Sequence, residues 1–219
     1  MDIIKKKYEN TYLITIDRKL IHEYHLEYMK KNPSARTLPF TKPRIVKVFD
    51  KKGNPILTKG KKQKTKKVSV SKKDYTIDDC IYGTMSLNEL LIINNRMTMN
   101  SKKEKWGELG IWIANKYKLN NLNISNCIME YSVFSDTKAK KDNDNISGGI
   151  KFLNDGFLVK SKMCVDDNYT IVNPLLISCH YDKDHPRTEI RITTFDDNIR
   201  DIYDKLQIHI ENFKDINND

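Results

Sequence analysis

Between residues 140 and 167 the chain carries Lys140, Lys141, Asp142, Asp144 and Asn145, then Lys151 and Asp155, then Asp166 and Asp167. Three or four carboxylates brought to one point do not stay ionised side by side without a cation among them. Oxygen-rich clusters of that kind suit a hard divalent ion such as Mg²⁺, with Mn²⁺ as its substitute. A lysine close by adds a positive group that reaches a phosphate. Carboxylates, metal and lysine on a basic protein are the parts needed to cut a nucleic-acid backbone. Two blander readings compete. An EF-hand loop counted from Asp142 fails, because Ile146, Ser147 and Leu153 stand where an oxygen ligand, a glycine and a bidentate acid are required. Aspartates that merely cap helices and fill turns are common, but that reading leaves the combined pattern of acids and lysine unexplained.

The elements that must position these groups follow from local pattern. Thr11 to Ile16 is rich in β-formers and predicts a strand. Asp17 can cap a helix to about Lys30, with Leu20, Ile21 and Tyr24 on one face. Arg44 to Phe49 predicts a strand, Asp50 to Asn54 a turn and Pro55 to Leu57 a returning arm, with Lys59 to Lys73 as a weakly patterned, mobile arm. A strand is expected at Cys80–Tyr82 and a connecting loop through Asn88, Asn94, Asn95 and Arg96. Ser101 and Glu104 form a capping box for a helix to about Tyr117, whose stripe is Trp106, Leu109, Ile113 and Tyr117. Gly107 and Gly110 weaken that helix by ~1 kcal/mol each relative to alanine, which close packing against a sheet would offset. Alternation predicts a strand over Asn126–Phe134, then a helix from Gly149 to about Val159 with Lys151 and Asp155 sharing a face. Strands follow at Leu175–Cys179 and Thr188–Thr194. A last amphipathic helix runs from about Asp197 to Phe213, packing on its own domain or on a second subunit.

Charge is concentrated. The chain has 219 residues and a net charge of +10. Residues 41–75 hold thirteen Lys and Arg against Asp50 and Asp74, a local excess of +11 that leaves the remainder at −1. Such a patch is the footprint of a phosphate-backbone binder. Lys51, Lys52, Lys59, Lys61, Lys62, Lys64, Lys66 and Lys67 are the candidate DNA contacts, with Arg96, Lys140 and Lys141 outside the segment. Cys80, Cys127, Cys164 and Cys179 have no metal or redox spacing and read as buried free thiols. The same holds for the five histidines, of which His22 and His25 can share a helix face through packing. No apolar run approaches the roughly 20 residues of a membrane span, and no secretion segment follows Met1. Cytoplasmic residence without membrane contact is the expectation.

The combination Asp142-x-Asp144-Asn145, Lys151 and Asp155 on a helix, and Asp166-Asp167 before a strand resembles the RusA-like Holliday junction resolvases of bacteria and phages. The likeness spans roughly Cys80 to Thr194. It implies an α+β fold, a mixed sheet with packed helices, here with a basic N-terminal extension and a C-terminal amphipathic helix. The corresponding divisions are 1–77, 78–195 and 196–219. It implies that Asp142, Asp144 and Asp167 hold Mg²⁺ and that Lys151 is the catalytic lysine. Ser147-Gly148-Gly149 lengthens the link before Lys151, so Lys140 or Lys141 is the alternative holder of that role. Asn145 and Asp155 would support the site; Asp166 either orients Asp167 or is a turn residue. The family's homodimer, its branched DNA substrate and a bacterial or phage-infected cell are implied with it. The competing functions are a non-catalytic nucleic-acid binder with a structural acidic cluster, and a flap or fork nuclease of the same chemistry.

Overall fold

The computed structural model describes residues 8–82, 93, 95–138 and 143–195. The chain is α+β and divides into two compact units, residues 16–82 and the remainder. That division differs from the expected boundary at residue 77. The first strand belongs to the larger unit's sheet, so residues 1–77 are not one extension.

In the larger unit a mixed four-stranded sheet has the order β1-β6-β4-β5. Its strands are β1 (Tyr8–Ile16), β4 (Cys127–Ser135), β5 (Val172–Tyr181) and β6 (Arg187–Phe195); β2 and β3 belong to the other unit. β4 lies antiparallel to β6 and parallel to β5. The period-two pattern read from the sequence is the burial pattern found. Cys127, Met129, Tyr131, Val133 and Ser135 are buried, and the residues between them are half-buried. Parallel neighbours need a long crossover. Here it is α3 (Asn143–Asn154), which continues as a π-helical stretch over Asp155–Lys160.

α3 starts six residues earlier than Gly148-Gly149 suggested. Ile146, Ile150, Leu153 and Phe157 recur at helical spacing and are all buried, and this burial outweighs the glycine penalty. α2 (Arg96–Lys116) also starts earlier than the Ser101 box predicts. Asn95 is the cap, its side-chain oxygen accepting from Met97 N at 2.8 Å, so Ser101 lies within the helix. Trp106, Leu109 and Ile113 are buried as expected, but Tyr117 is the C-cap and 38% exposed. The two glycines of α2 meet the crossover helix rather than a sheet. A Cβ on Gly110 would lie 2.5 Å from Phe157 N, and one on Gly156 would lie 2.0 Å from Gly107 O. The helix expected at 197–213 lies outside the described residues, as do Asn88 and Asn94.

The smaller unit is built on α1 (Arg18–Lys31), capped by Asp17, whose carboxylate accepts from Leu20 N at 2.7 Å. Leu20, Ile21, Tyr24 and His25 form its buried face. Cys80–Tyr82 is no strand; a single bridge joins Thr41 to Cys80. The lysine arm is ordered by pairing, since β3 (Thr65–Val68) lies antiparallel to β2 (Arg44–Lys47).

His25 is fully buried. Its Nε2 faces the Pro39 carbonyl at 2.5 Å, and a carbonyl can only accept, so Nε2 carries the proton. Nδ1 then accepts from the Tyr75 hydroxyl at 2.9 Å. The Tyr75 oxygen in turn accepts from His22 Nδ1 at 2.7 Å and from the Cys80 thiol at 2.9 Å. Burial lowers the His25 pKa to about 4, against the Pro39 bond that raises it. The unfolded histidine titrates near 6.5, so it takes up its proton before the folded one does. This contribution is whole above pH 6.5 and is lost as the pH falls from there to about 4. Urea unfolding followed by circular dichroism should show a loss of up to about 3 kcal/mol across that window. In His25→Gln the loss should be largely absent; an equal decline in both proteins would remove His25 as its source.

Candidate functional site

The acidic motif sits on the β4–α3–β5 crossover. Asp142, Lys140 and Lys141 lie outside the described residues. Asp144 and Asn145 are in the first turn of α3, after the carboxyl end of β4. Lys151 is exposed, two turns on. Asp155 opens the π-helical stretch and pairs with Lys103 Nζ of α2 at 2.7 Å, which ties the two helices together. The chain then returns to the amino end of β4, where Cys164 bridges Ile124 and Cys127 N bonds to the Ile171 carbonyl. Asp166 and Asp167 lie between those two contacts.

Asp144 and Asp167 therefore belong to opposite ends of the crossover. About 24 Å of helix, at 1.5 Å per residue from residue 144 to residue 160, lies between them along the chain. The sequence expects the carboxylates to converge in a single subunit; Asp142 lies outside the described residues, and the path sets the length of the crossover helix between the other two along the chain. Among the described residues no three His, Cys, Asp or Glu side chains form a metal-holding group.

The two adjacent aspartates separate by role. Asp166 Oδ1 accepts from Asp167 N and its Oδ2 from Asn168 Nδ2, both at 2.7 Å. That is a turn residue closing on its own backbone. The Asp167 carboxylate is half-buried and has no hydrogen bond or ion pair among the described residues. It lies near the buried thiol of Cys164, which shares a hydrogen bond with Cys127 and is pushed upward by that bond, by burial and by the Asp167 charge. Cys80, Cys127 and Cys164 are the buried free thiols expected; Cys179 is half-buried.

One cluster escaped sequence reasoning. On the sheet face opposite the helices, Phe134 is stacked on His180 at 4.8 Å and covered by the Arg187 guanidinium at 3.7 Å. Arg187 also pairs with Asp182 at 2.8 Å and Glu189 at 2.6 Å, which raises its pKa. Ser178 Oγ donates to Ser132 Oγ at 3.0 Å and lies 2.9 Å from His180 Nε2. A hydroxyl has one proton, so with it given to Ser132 the imidazole donates to Ser178. This is the reverse of a Ser–His nucleophile. The period-two alternation of β4 and β5 was the signal available, but only the register pairs Ser132 with Ser178 and Phe134 with His180.

All eight candidate lysines of residues 51–67 are exposed, as is Arg96 at the start of α2. Arg44 differs: its Nη2 lies 2.7 Å from Asp79, and this bond lowers the Asp79 pKa to about 2. It anchors the ribbon rather than facing a ligand. No protein-family model matches the chain, and no curated protein matches it.

Proposed function

We propose that the chain is a RusA-like, Mg²⁺-dependent endonuclease for branched DNA that acts as a homodimer with its metal site shared between copies. The observation that carries this reading is the half-buried carboxylate of Asp167, without a hydrogen bond or ion pair among the described residues, at one end of the crossover, with Asp144 at the other. A two-fold dimer makes self-complementary contacts in which one patch meets a different patch of its mate. One copy's Asp142 and Asp144 can then meet the mate's Asp167. Those three carboxylates would hold the ion, which supplies Lewis acidity and a lowered pKa of bound water. Asp166 fixes the turn that presents Asp167, and Lys151 neutralises charge on the scissile phosphate or its leaving oxygen. Lys140 and Lys141 remain the alternative for that role. The exposed lysines of residues 51–67 contact backbone phosphates, which positions DNA without reading sequence.

The separation of Asp144 from Asp167 within one chain also favours a second reading, a nucleic-acid binder without catalysis. Nicking of a synthetic four-way junction in Mg²⁺, compared between the native chain and Asp144→Asn, separates the two. Cleavage by the native chain that falls about a hundredfold or more in the variant is expected, since even second-shell changes at metal sites cost 10–100-fold. Full activity in Asp144→Asn, or cleavage indifferent to metal, favours the binder. Flap and fork substrates run beside the junction identify the preferred branch. Lys151→Ala should lower the cleavage rate about a hundredfold with DNA affinity in EDTA unchanged; unaltered cleavage moves the role to Lys140 or Lys141.

A further inference from the structure

The smaller unit carries a feature that the nuclease reading does not use. Three backbone segments close a ring at its centre: Val48 N donates to Lys64 O, Lys64 N to Ile56 O and Ile56 N to Val48 O, at 2.9, 2.7 and 3.0 Å. The β2/β3 pair forms a stem on one side of that ring. Two short hairpins leave it on the other, one pairing Phe49 with Pro55 and one pairing Leu57 with Gln63. The first hairpin is closed by Asp50, whose Oδ1 accepts from Lys52 N and Asn54 N at 2.8 Å. The ring holds a Y-shaped module in shape with little buried core, since residues 51–62 are all exposed.

Side chains alternate across a strand, so Ile45, Lys47, Phe49 and Leu57 share one face, with Lys67 paired to Ile45, on the opposite side from Val48, Ile56 and Lys64. Ile45, Phe49 and Leu57 are 70%, 52% and 55% exposed. The hairpin tips beside them are cationic, Lys51 and Lys52 on one, Lys59, Lys61 and Lys62 on the other. No ion pair to these lysines occurs among the described residues, and Asp50 is engaged in its own turn. Lysines on exposed strand edges also guard against aggregation, but that role does not call for an apolar centre between them.

We infer that this module is a docking element for duplex DNA, its two lysine tips on the two phosphate backbones and its Ile45–Phe49–Leu57 face against the floor of a groove. A groove presents two anionic rails on either side of apolar and hydrogen-bonding base edges, and the major groove admits a two-stranded β-ribbon. The module has a matching order, cations at both tips and between them an apolar centre in which Lys47 is a donor for base edges. An anionic bilayer spreads its charge evenly and offers no such pair of rails. The inference rests on the proposed function only for DNA as the polyanion.

The test uses the full chain in EDTA, so that binding is read apart from cleavage. Probes are a plain duplex, a four-way junction and anionic phosphatidylserine vesicles. Lys51→Gln with Lys52→Gln should weaken binding to both DNAs and reduce the salt slope by about 2. Phe49→Ser and, separately, Leu57→Ser should each weaken duplex binding about fivefold to tenfold with the salt slope unchanged. Urea midpoints should stay at the native value, because these side chains are half exposed or more. Native-like duplex affinity in both serine variants overturns the groove contact. Binding to vesicles but not to duplex overturns it as well. Loss of metal-dependent cleavage alone bears on the nuclease reading and leaves this one standing.

Discussion

Mixing Asp144→Asn chains with Asp167→Asn chains should restore Mg²⁺-dependent cutting of a four-way junction that neither variant supports alone. If the two aspartates of one site come from different copies, a mixed dimer has one site with both residues altered and one with both intact. Random exchange makes half of the dimers mixed, so about a quarter of native activity returns. The product identifies the arrangement further. One intact site per dimer cuts one strand, so the mixture should yield nicked junctions rather than pairs of symmetric cuts. If both aspartates of a site belonged to one chain, every site in a mixed dimer would be broken and nothing would return. That outcome ends the shared-site model while leaving a loss of activity in each single variant to be explained. The expectation follows from the roughly 20–25 Å of helix between the two residues.

Gly156→Ala should unfold the larger unit or destabilise it by about 3 kcal/mol or more, the upper range for overpacking. The added Cβ would lie 2.0 Å from the Gly107 carbonyl oxygen and 2.5 Å from its carbon, and backbone cannot swing aside as a side chain can. Gly110→Ala meets the same obstacle at Phe157 N and Leu153 O, at 2.5 and 2.6 Å. Gly107→Ala is the control. Its Cβ would find only Lys160 Nζ at 3.7 Å and Gly156 Cα at 4.0 Å, so it should be neutral or gain up to about 1 kcal/mol of helix propensity. Urea unfolding read by Trp106 and Trp112 fluorescence measures all three. Equal midpoints for Gly156→Ala and the native chain would mean that the helices do not approach as closely as described. Because the crossover also carries Asp144, Lys151 and Asp155, loss of this contact should remove cleavage as a consequence of misfolding.

Much of the fold was legible because the signals act over one turn or one strand. Asp17 caps α1 because its carboxylate reaches a donor three residues on, and the alternation of Cys127 to Ser135 places one face inward whatever the strand packs against. Helix starts were less legible. The Ser101–Glu104 box was a sound local signal, but Asn95 caps six residues earlier, and buried Ile146 and Ile150 carry α3 through two glycines. At α3 packing gained at a distance outweighed local preference, whereas α2 starts earlier through a second local signal, the Asn95 cap, its first turn being exposed. The lysine-rich stretch looked shapeless because its order comes from backbone bonds among Val48, Ile56 and Lys64, which leave no periodic mark.

By itself the sequence determined the α+β class, the principal strands, the concentration of positive charge in residues 41–75 and the order of the acids and lysine along the chain. Tertiary structure alone decided that Asp166 closes a turn, that Asp155 binds Lys103 and that Asp144 and Asp167 stand at opposite ends of a crossover. The physical reason is that spacing along a chain sets distance only within a single element. Once a helix of some eighteen residues intervenes, its rigid length rather than residue order fixes how far apart two side chains lie.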